Sequence, residues 1–134
     1  MKKYYPSTKI YISESNINKA GRGVFASKNI NKNEIIEICP VILAPESDLA
    51  NLDKSIFVNY FFYFGMKKEQ LAIALGYGSI YNHSYSPNAK YKLSVREKTI
   101  TFTSLKNINK GEEITFNYKL GNSNSKSPLW FEVK

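Results

Sequence analysis

One cysteine, one histidine, one tryptophan and two arginines are all that this 134-residue chain offers of the residue types that often mark redox, metal and phosphate sites. With Cys39 alone there is no internal disulfide and no cysteine-built zinc site. No run of about 18 apolar residues is present, which excludes a membrane-spanning helix. The basic start Met1-Lys2-Lys3-Tyr4-Tyr5-Pro6 is not followed by an apolar stretch, so no secretory signal is expected and an intracellular, non-secreted protein is. The Asn82-His83-Ser84 triplet, formally a glycosylation sequon, is then a coincidence of sequence.

What is abundant is lysine, tyrosine and phenylalanine. Hydrophobic residues make up 43% and aromatic residues 14%, enough for the core of one small globular domain spanning 1–134. The net charge of +8 is unevenly spread: residues 1–33 carry +6, residues 34–53 carry −5 and residues 54–134 carry +7. The acidic stretch, Glu34, Glu37, Glu46, Asp48 and Asp53, contains no base and could complement a basic peptide. The basic remainder is consistent with a solvated face or with attraction to nucleic acid, and composition leaves both open.

In chain order, Lys9 to Ile12 alternates as a first strand, and Gly21-Arg22-Gly23-Val24-Phe25-Ala26 holds two glycines that let backbone approach a ligand or another segment. Residues 35–43 form a β-branched run predicted to bend at Pro40. Pro45 to Ser55 has room for a helical turn, with Ser47 or Asp48 as N-cap. Phe57 to Phe64 reads as an aromatic strand and Leu71 to Leu75 as a short buried segment. Ala89 to Leu105 reads as a hairpin turning near Arg96 to Lys98. The polar turn Lys28-Asn29-Ile30-Asn31-Lys32-Asn33-Glu34 has a near copy in Lys106-Asn107-Ile108-Asn109-Lys110-Gly111-Glu112, each feeding a strand. Two copies make a device used twice, since a solenoid needs at least three. After the linker-like 121–127, Pro128-Leu129-Trp130-Phe131 is expected to dock back on the domain. The expected fold is mostly β, built of many short strands.

Three stretches carry more than fold. Gly76 to Ala89, GYGSIYNHSYSPNA, sets the sole histidine behind an asparagine in a loop of low charge, which ordinary turn chemistry does not require. GRGVFA at 21–26 and GEEITFNY at 111–118 are the other two. In order, spacing and content the three resemble the SET-domain protein lysine methyltransferases, particularly the compact viral and bacterial type without zinc-binding flanking modules, from about Gly21 to Tyr118. The resemblance implies a SET (β-clip) fold of short strands in small sheets with a knot-like C-terminal arrangement and one or two short helices. It places the core at about 9–118 and leaves 119–134 as a segment flanking the site.

The same resemblance implies S-adenosylmethionine as methyl donor, with S-adenosylhomocysteine as product and no metal. Gly21, Arg22 and Gly23 then lie beside the donor, Asn82 near its methionine portion and His83 near its adenine. Tyr118 is the implied catalytic tyrosine, and Phe116 stands where Phe or Tyr governs how many methyl groups are added. Tyr60 is a candidate for the lysine channel. Tyr85 occupies the position where many larger relatives keep a zinc-binding cysteine, and Trp130 and Phe131 are expected to replace the missing zinc tail, covering the adenine or the lysine channel.

Methyl transfer to lysine needs a neutral amine, and at a pKa of about 10.4 neutralisation near pH 7 costs roughly 4–5 kcal/mol. An aromatic channel and a nearby positive sulfur both lower that cost. Phe57, Tyr60, Phe61, Phe62 and Tyr63 are candidates for such a channel, and also for ordinary core. A phenyl ring at 116 cannot hold a water where a methylated amine must turn, which predicts di- or trimethylation. Implied partners are a lysine-containing protein tail, a histone being the most familiar class, with nucleosomal DNA and a second copy of the chain as further candidates and the nucleus or a host nucleus as location. The competing reading is a basic aromatic β-domain that binds nucleic acid or a peptide without catalysis.

Overall fold

Short apolar alternations separated by polar turns give nine strands in the computed structural model, which describes residues 2–65 and 70–118. Strand β1 (Ile10–Glu14) pairs antiparallel with β2 (Arg22–Ala26), Ile10 lying opposite Ala26. The long β3 (Ile35–Pro45), β4 (Phe61–Phe64) and β5 (Gln70–Ala74) follow, then β6 (Asn82–His83), the hairpin of β7 (Ala89–Ser94) and β8 (Thr99–Ser104), and β9 (Glu113–Phe116). One sheet has the order β1-β2-β9-β6 and the other β4-β5-β3-β8-β7. The pairing of β6 with β9 is parallel, His83 opposite Phe116.

Pro40 decides the shape of β3. Residues 35–40 pair with β8 and residues 41–45 with β5, so the strand changes partner where proline has no N–H to offer a ladder. The Pro40 carbonyl instead accepts from Leu75 N (2.9 Å), and Val41 N donates to Lys98 O (3.2 Å). The bend expected at Pro40 is therefore a handover within one continuous strand.

One expectation holds and one shifts. A 3₁₀ turn at Glu46–Asp48 leads into the short helix α1 (Leu49–Asp53), and Asp48 stands at its N-cap position without a capping side-chain bond. The aromatic run predicted as a strand from Phe57 begins instead with a 3₁₀ turn at Ile56–Asn59, and extends only from Phe61. The cause is Ser55, whose hydroxyl accepts from Phe57 N (3.1 Å) and donates to Leu52 O (2.8 Å), a local alternative to a strand ladder.

The repeated turns meet each other. Ile30 and Ile108 exchange both backbone hydrogen bonds at 2.8 Å. Asn29 Oδ1 accepts from Lys110 N and Asn107 Oδ1 accepts from Lys32 N, each at 2.8 Å. Within each copy the terminal glutamate carboxylate accepts from an asparagine N–H, Glu34 from Asn31 (3.1 Å) and Glu112 from Asn109 (3.0 Å). The left-handed position falls at Asn33 (φ 68°) in one copy and Gly111 (φ 90°) in the other, the residues that tolerate it best. Around this clasp β2 leads into one turn and pairs with the β9 that leaves the other, while β8 and β3 do the reverse. Both isoleucines are buried, and with Val24, Ile36, Ile100 and Ile114 they belong to a single apolar core.

The acidic stretch does not act as a unit. Glu37 is buried, Glu34 is ion-paired with Lys9 (2.8 Å), and only Glu46, Asp48 and Asp53 remain on the helical surface segment.

Reciprocity makes a quantitative prediction. Asn29→Ala and Asn107→Ala each delete one side-chain to backbone bond of an equivalent pair, and each is expected to cost about 0.5–1.5 kcal/mol in urea denaturation. Costs that differ by more than a factor of three would break the equivalence.

Candidate active site

The loop that carries the histidine is held from beneath by a buried carboxylate. Glu37, reached across a β-bulge in β3, accepts from Tyr77 N (2.9 Å) and from the Tyr81 hydroxyl (2.8 Å). Gly76 sits at φ 64°, and a Cβ there would collide with the same carboxylate. The Tyr81 ring stacks on Phe102 at 4.4 Å, so the residue before Asn82 is fixed by both ends of its side chain. Burial, with the Glu37 carboxylate added, pushes the Tyr81 phenol well up, and burial pushes the Cys39 thiol up as well. Both stay protonated at neutral pH.

From there the chain enters β6. Asn82 Nδ2 donates to Arg22 O (3.0 Å) and to Glu113 Oε2 (2.8 Å), and Glu113 Oε1 accepts from the Ser15 hydroxyl (2.7 Å). A Cβ on Gly23 would run into Glu113 and Asn82, so this glycine makes room for the network inside the protein. Gly21 differs: its φ is 78° and the space beyond its Cα is open. Of the two glycines in GRG, Gly21 is the one whose backbone a ligand could approach. Arg22 is exposed between them.

His83 is 6% exposed, its ring edge-on to Tyr85 (4.5 Å between centroids) and close to Tyr118 (5.1 Å). Its Nδ1 accepts from Tyr118 N at 3.0 Å, which leaves Nε2 as the protonated nitrogen, buried and without a hydrogen bond among the described residues. Burial lowers its pKa to about 4, so the ring is neutral at pH 7. Tyr118 is tied at its other end too, its hydroxyl donating to Tyr81 O at 2.6 Å. Burial raises the Tyr118 pKa first, and the Tyr60 phenol and the Glu113 carboxylate raise it further. The hydroxyl is a neutral phenol whose proton is already committed, and its lone pairs are what it can offer a substrate.

Phe116 is 2% exposed at the centre of an aromatic cluster, with Tyr118 at 5.0 Å, Phe102 at 5.2 Å, Tyr91 at 5.3 Å and Phe62 at 6.1 Å. Of the aromatic segment, Phe62 stacks on this cluster, and Phe64, on the same face of β4, is buried in the same core. Phe61 and Tyr63 face the other side of β4, as alternation requires, and pack on each other. Tyr60 is 42% exposed and lies close enough to Tyr118 to affect its titration. Trp130 and Phe131, and with them the expected docking of 119–134, fall outside the described residues.

Arg22, Gly23, Asn82, His83 and Tyr118 thus converge where β2, β9 and β6 meet, with Phe116 immediately behind. Three supporting residues were not singled out from sequence as partners of the site. Glu37 stands in the acidic stretch, where composition does not set it apart from its neighbours, yet it is buried. Glu113, within GEEITFNY, braces Asn82. Asn88 accepts from Thr115 N (2.9 Å) and donates to Glu113 O (2.9 Å), extending the parallel ladder with a side chain. The Pro-Asn dipeptide after the histidine loop was the available signal for Asn88.

Residues 21–119 match the SET domain family. The chain is 32% identical over 114 residues to a histone-lysine N-methyltransferase of Schizosaccharomyces pombe specific for H3 lysine-37, a match covering 85% of this chain and 72% of the relative. A crystal structure of a Plasmodium falciparum histone methyltransferase candidate superposes with a TM-score of 0.67 at 36% identity, covering 82% of this chain and 92% of that one. The Chaetomium thermophilum Polycomb repressive complex 2 bound to S-adenosylmethionine shares the fold, at TM-score 0.73 and 21% identity, over 90% of this chain and 16% of that one.

The buried His83 has a pH signature with a definite sign. The unfolded chain takes up the proton near pH 6.5 and the folded one only near 4, so stability present above pH 6.5 is lost as pH falls towards 4. His83→Asn keeps an acceptor for Tyr118 N–H and removes the titration. It is expected to abolish a loss of up to about 2 kcal/mol between pH 7 and pH 5, measured by chemical denaturation. An acid limb unchanged in the variant would rule this out.

Proposed function

This chain belongs to the SET-domain family, and on that premise we propose how its own residues perform the family's reaction. The protein is an S-adenosylmethionine-dependent protein-lysine N-methyltransferase. The observation that supports assigning the chemistry to Tyr118 is its double restraint, backbone N–H on His83 and hydroxyl on Tyr81 O, beside the aromatic cluster.

The residues present suit the donor. The open face at Gly21, the exposed Arg22 guanidinium and the buried, unpartnered His83 Nε2–H together offer a bare backbone, a cation for a carboxylate and a fixed donor. Gly21, Arg22 and Asn82 would hold its methionine end, and His83 its adenine end. When bound, S-adenosylmethionine supplies an electrophilic methyl group on a sulfonium. Asn82 acts mainly by fixing β6 to β2 and β9, because its amide is spent on Arg22 O and Glu113.

Tyr118 is the residue that orients the incoming amine. Its proton is held by Tyr81 O, so the phenol oxygen accepts from the amine and from the polarised methyl. The raised pKa excludes a phenolate base at neutral pH. The lysine therefore arrives having lost its proton to solvent, helped by desolvation among Phe62, Phe116 and Tyr60. Rigid alignment of this kind is worth ~7–11 kcal/mol when the reacting atoms are held in line. Phe116, with no hydroxyl to anchor a water, leaves a methylated amine free to turn and react again. We assign the substrate as a lysine on a histone tail, by likeness to the fission-yeast and Plasmodium proteins, and the site of action as chromatin.

Two variants test these roles by mass spectrometry on core histones. Tyr118→Phe is expected to lower turnover at least 100-fold with donor binding retained in calorimetry, since the loss is of alignment. Phe116→Tyr is expected to move product from di- and trimethyl-lysine to monomethyl-lysine. Monomethyl product alone from the unaltered enzyme would refute the Phe116 assignment.

A further inference from the structure

The clasp between the two repeated turns gathers positive charge that the methyltransferase site does not use. Ile30 opposes Ile108, and that register brings Lys28 beside Lys110 and Lys32 beside Lys106. The bonds from Lys110 N to Asn29 and from Lys32 N to Asn107 fix the backbone of two of these lysines directly. All four are exposed, and the two ion pairs among the described residues, Lys2–Glu97 and Lys9–Glu34, involve none of them.

The two nearby carboxylates are engaged elsewhere. Glu34 takes the ammonium of Lys9 and the N–H of Asn31, with Lys28 only a lesser influence on its charge, and Glu112 turns back to Asn109 N. Like charges facing each other across a paired segment oppose folding. A rigid turn pair that repeats this arrangement at both ends is suited to a polyanion, whose binding relieves the repulsion. Two-fold related lysine pairs on fixed backbone suit a regular array of phosphates better than a single anion.

We propose that Lys28, Lys32, Lys106 and Lys110 form a docking surface for the phosphate backbone of duplex DNA. The choice of DNA rests on the reading that the substrate is a histone, because nucleosomal phosphates are then the adjacent polyanion. Contact is to phosphates and independent of sequence, so it positions the domain and leaves selection of the lysine to the site.

The test measures binding without methylation, so its outcome is separable from that of the histone assignment. Fluorescence anisotropy on a 20-base-pair duplex is run across a salt series for three proteins: the unaltered chain, K28Q/K32Q/K106Q/K110Q, and the charge-matched K19Q/K54Q/K90Q/K92Q, which removes four exposed lysines elsewhere. Each phosphate contact contributes about 0.9 to the slope of log K against log salt, so the clasp variant is expected to lose about 3–4 of slope while the control keeps most of it. Thermal midpoints verify that both variants fold, and the clasp variant should be no less stable than the parent. Equal losses in both variants would mean diffuse attraction and overturn the proposal. So would no duplex binding by the parent, a strong preference among duplex sequences, or binding to phosphatidylserine vesicles that the clasp variant loses while duplex binding persists.

Discussion

Two hydrogen bonds between Ile30 and Ile108, with the Asn29 and Asn107 side chains reaching across them, fasten the front of the chain to its far end. Because β2 leads into one turn and β9 leaves the other, this clasp sets the β2–β9 register, Val24 opposite Ile114. That register in turn presents Glu113 to Gly23 and Asn82. With β9 fixed, β6 lies parallel to it and His83 can reach Tyr118 N. The site is thus downstream of a contact whose own residues take no part in the chemistry.

Within the site, polar side chains hold backbone more than they reach outward. Asn82, Asn88 and His83 each satisfy main-chain groups of neighbouring segments, and Glu37 does the same for the loop at Tyr77. A parallel pair only two residues long has few ladder bonds of its own, and side-chain amides and an imidazole supply the rest. This arrangement costs a buried carboxylate at Glu37 and a histidine kept neutral, and in return sets the Tyr118 hydroxyl on Tyr81 O.

Much of this was legible in the sequence because short-range chemistry wrote it there. The first strand at 10–14, the 89–104 hairpin and the bend at Pro40 follow from alternation and from the missing proline N–H. The duplicated turn was plain, but nothing local says that its copies grip each other, since that pairing spans most of the chain. Phe57 to Asn59 misled because an aromatic run suggests a strand, and one serine hydroxyl upstream was enough to turn it. The convergence of Arg22, Asn82, His83 and Tyr118 was foreseeable only through likeness to a family. Composition could not separate Glu37 and Glu113, which brace the site, from solvated acids such as Glu46.

The span of the clasp bears on how the protein is made. At ~5–20 residues per second, several seconds pass between the emergence of β3 from the ribosome and that of β8, its central partner. During that interval the isoleucine-rich half of β3 has no neighbour of its own, and the nascent chain offers an apolar, hydrogen-bond-hungry edge. Nor can His83, Asn82 and the glycine turn be brought together before Tyr118 has been added, because β6 and β2 both pair with β9. An unpaired strand edge exposed for seconds is a site for intermolecular pairing, so the order in which strands emerge carries its own hazard.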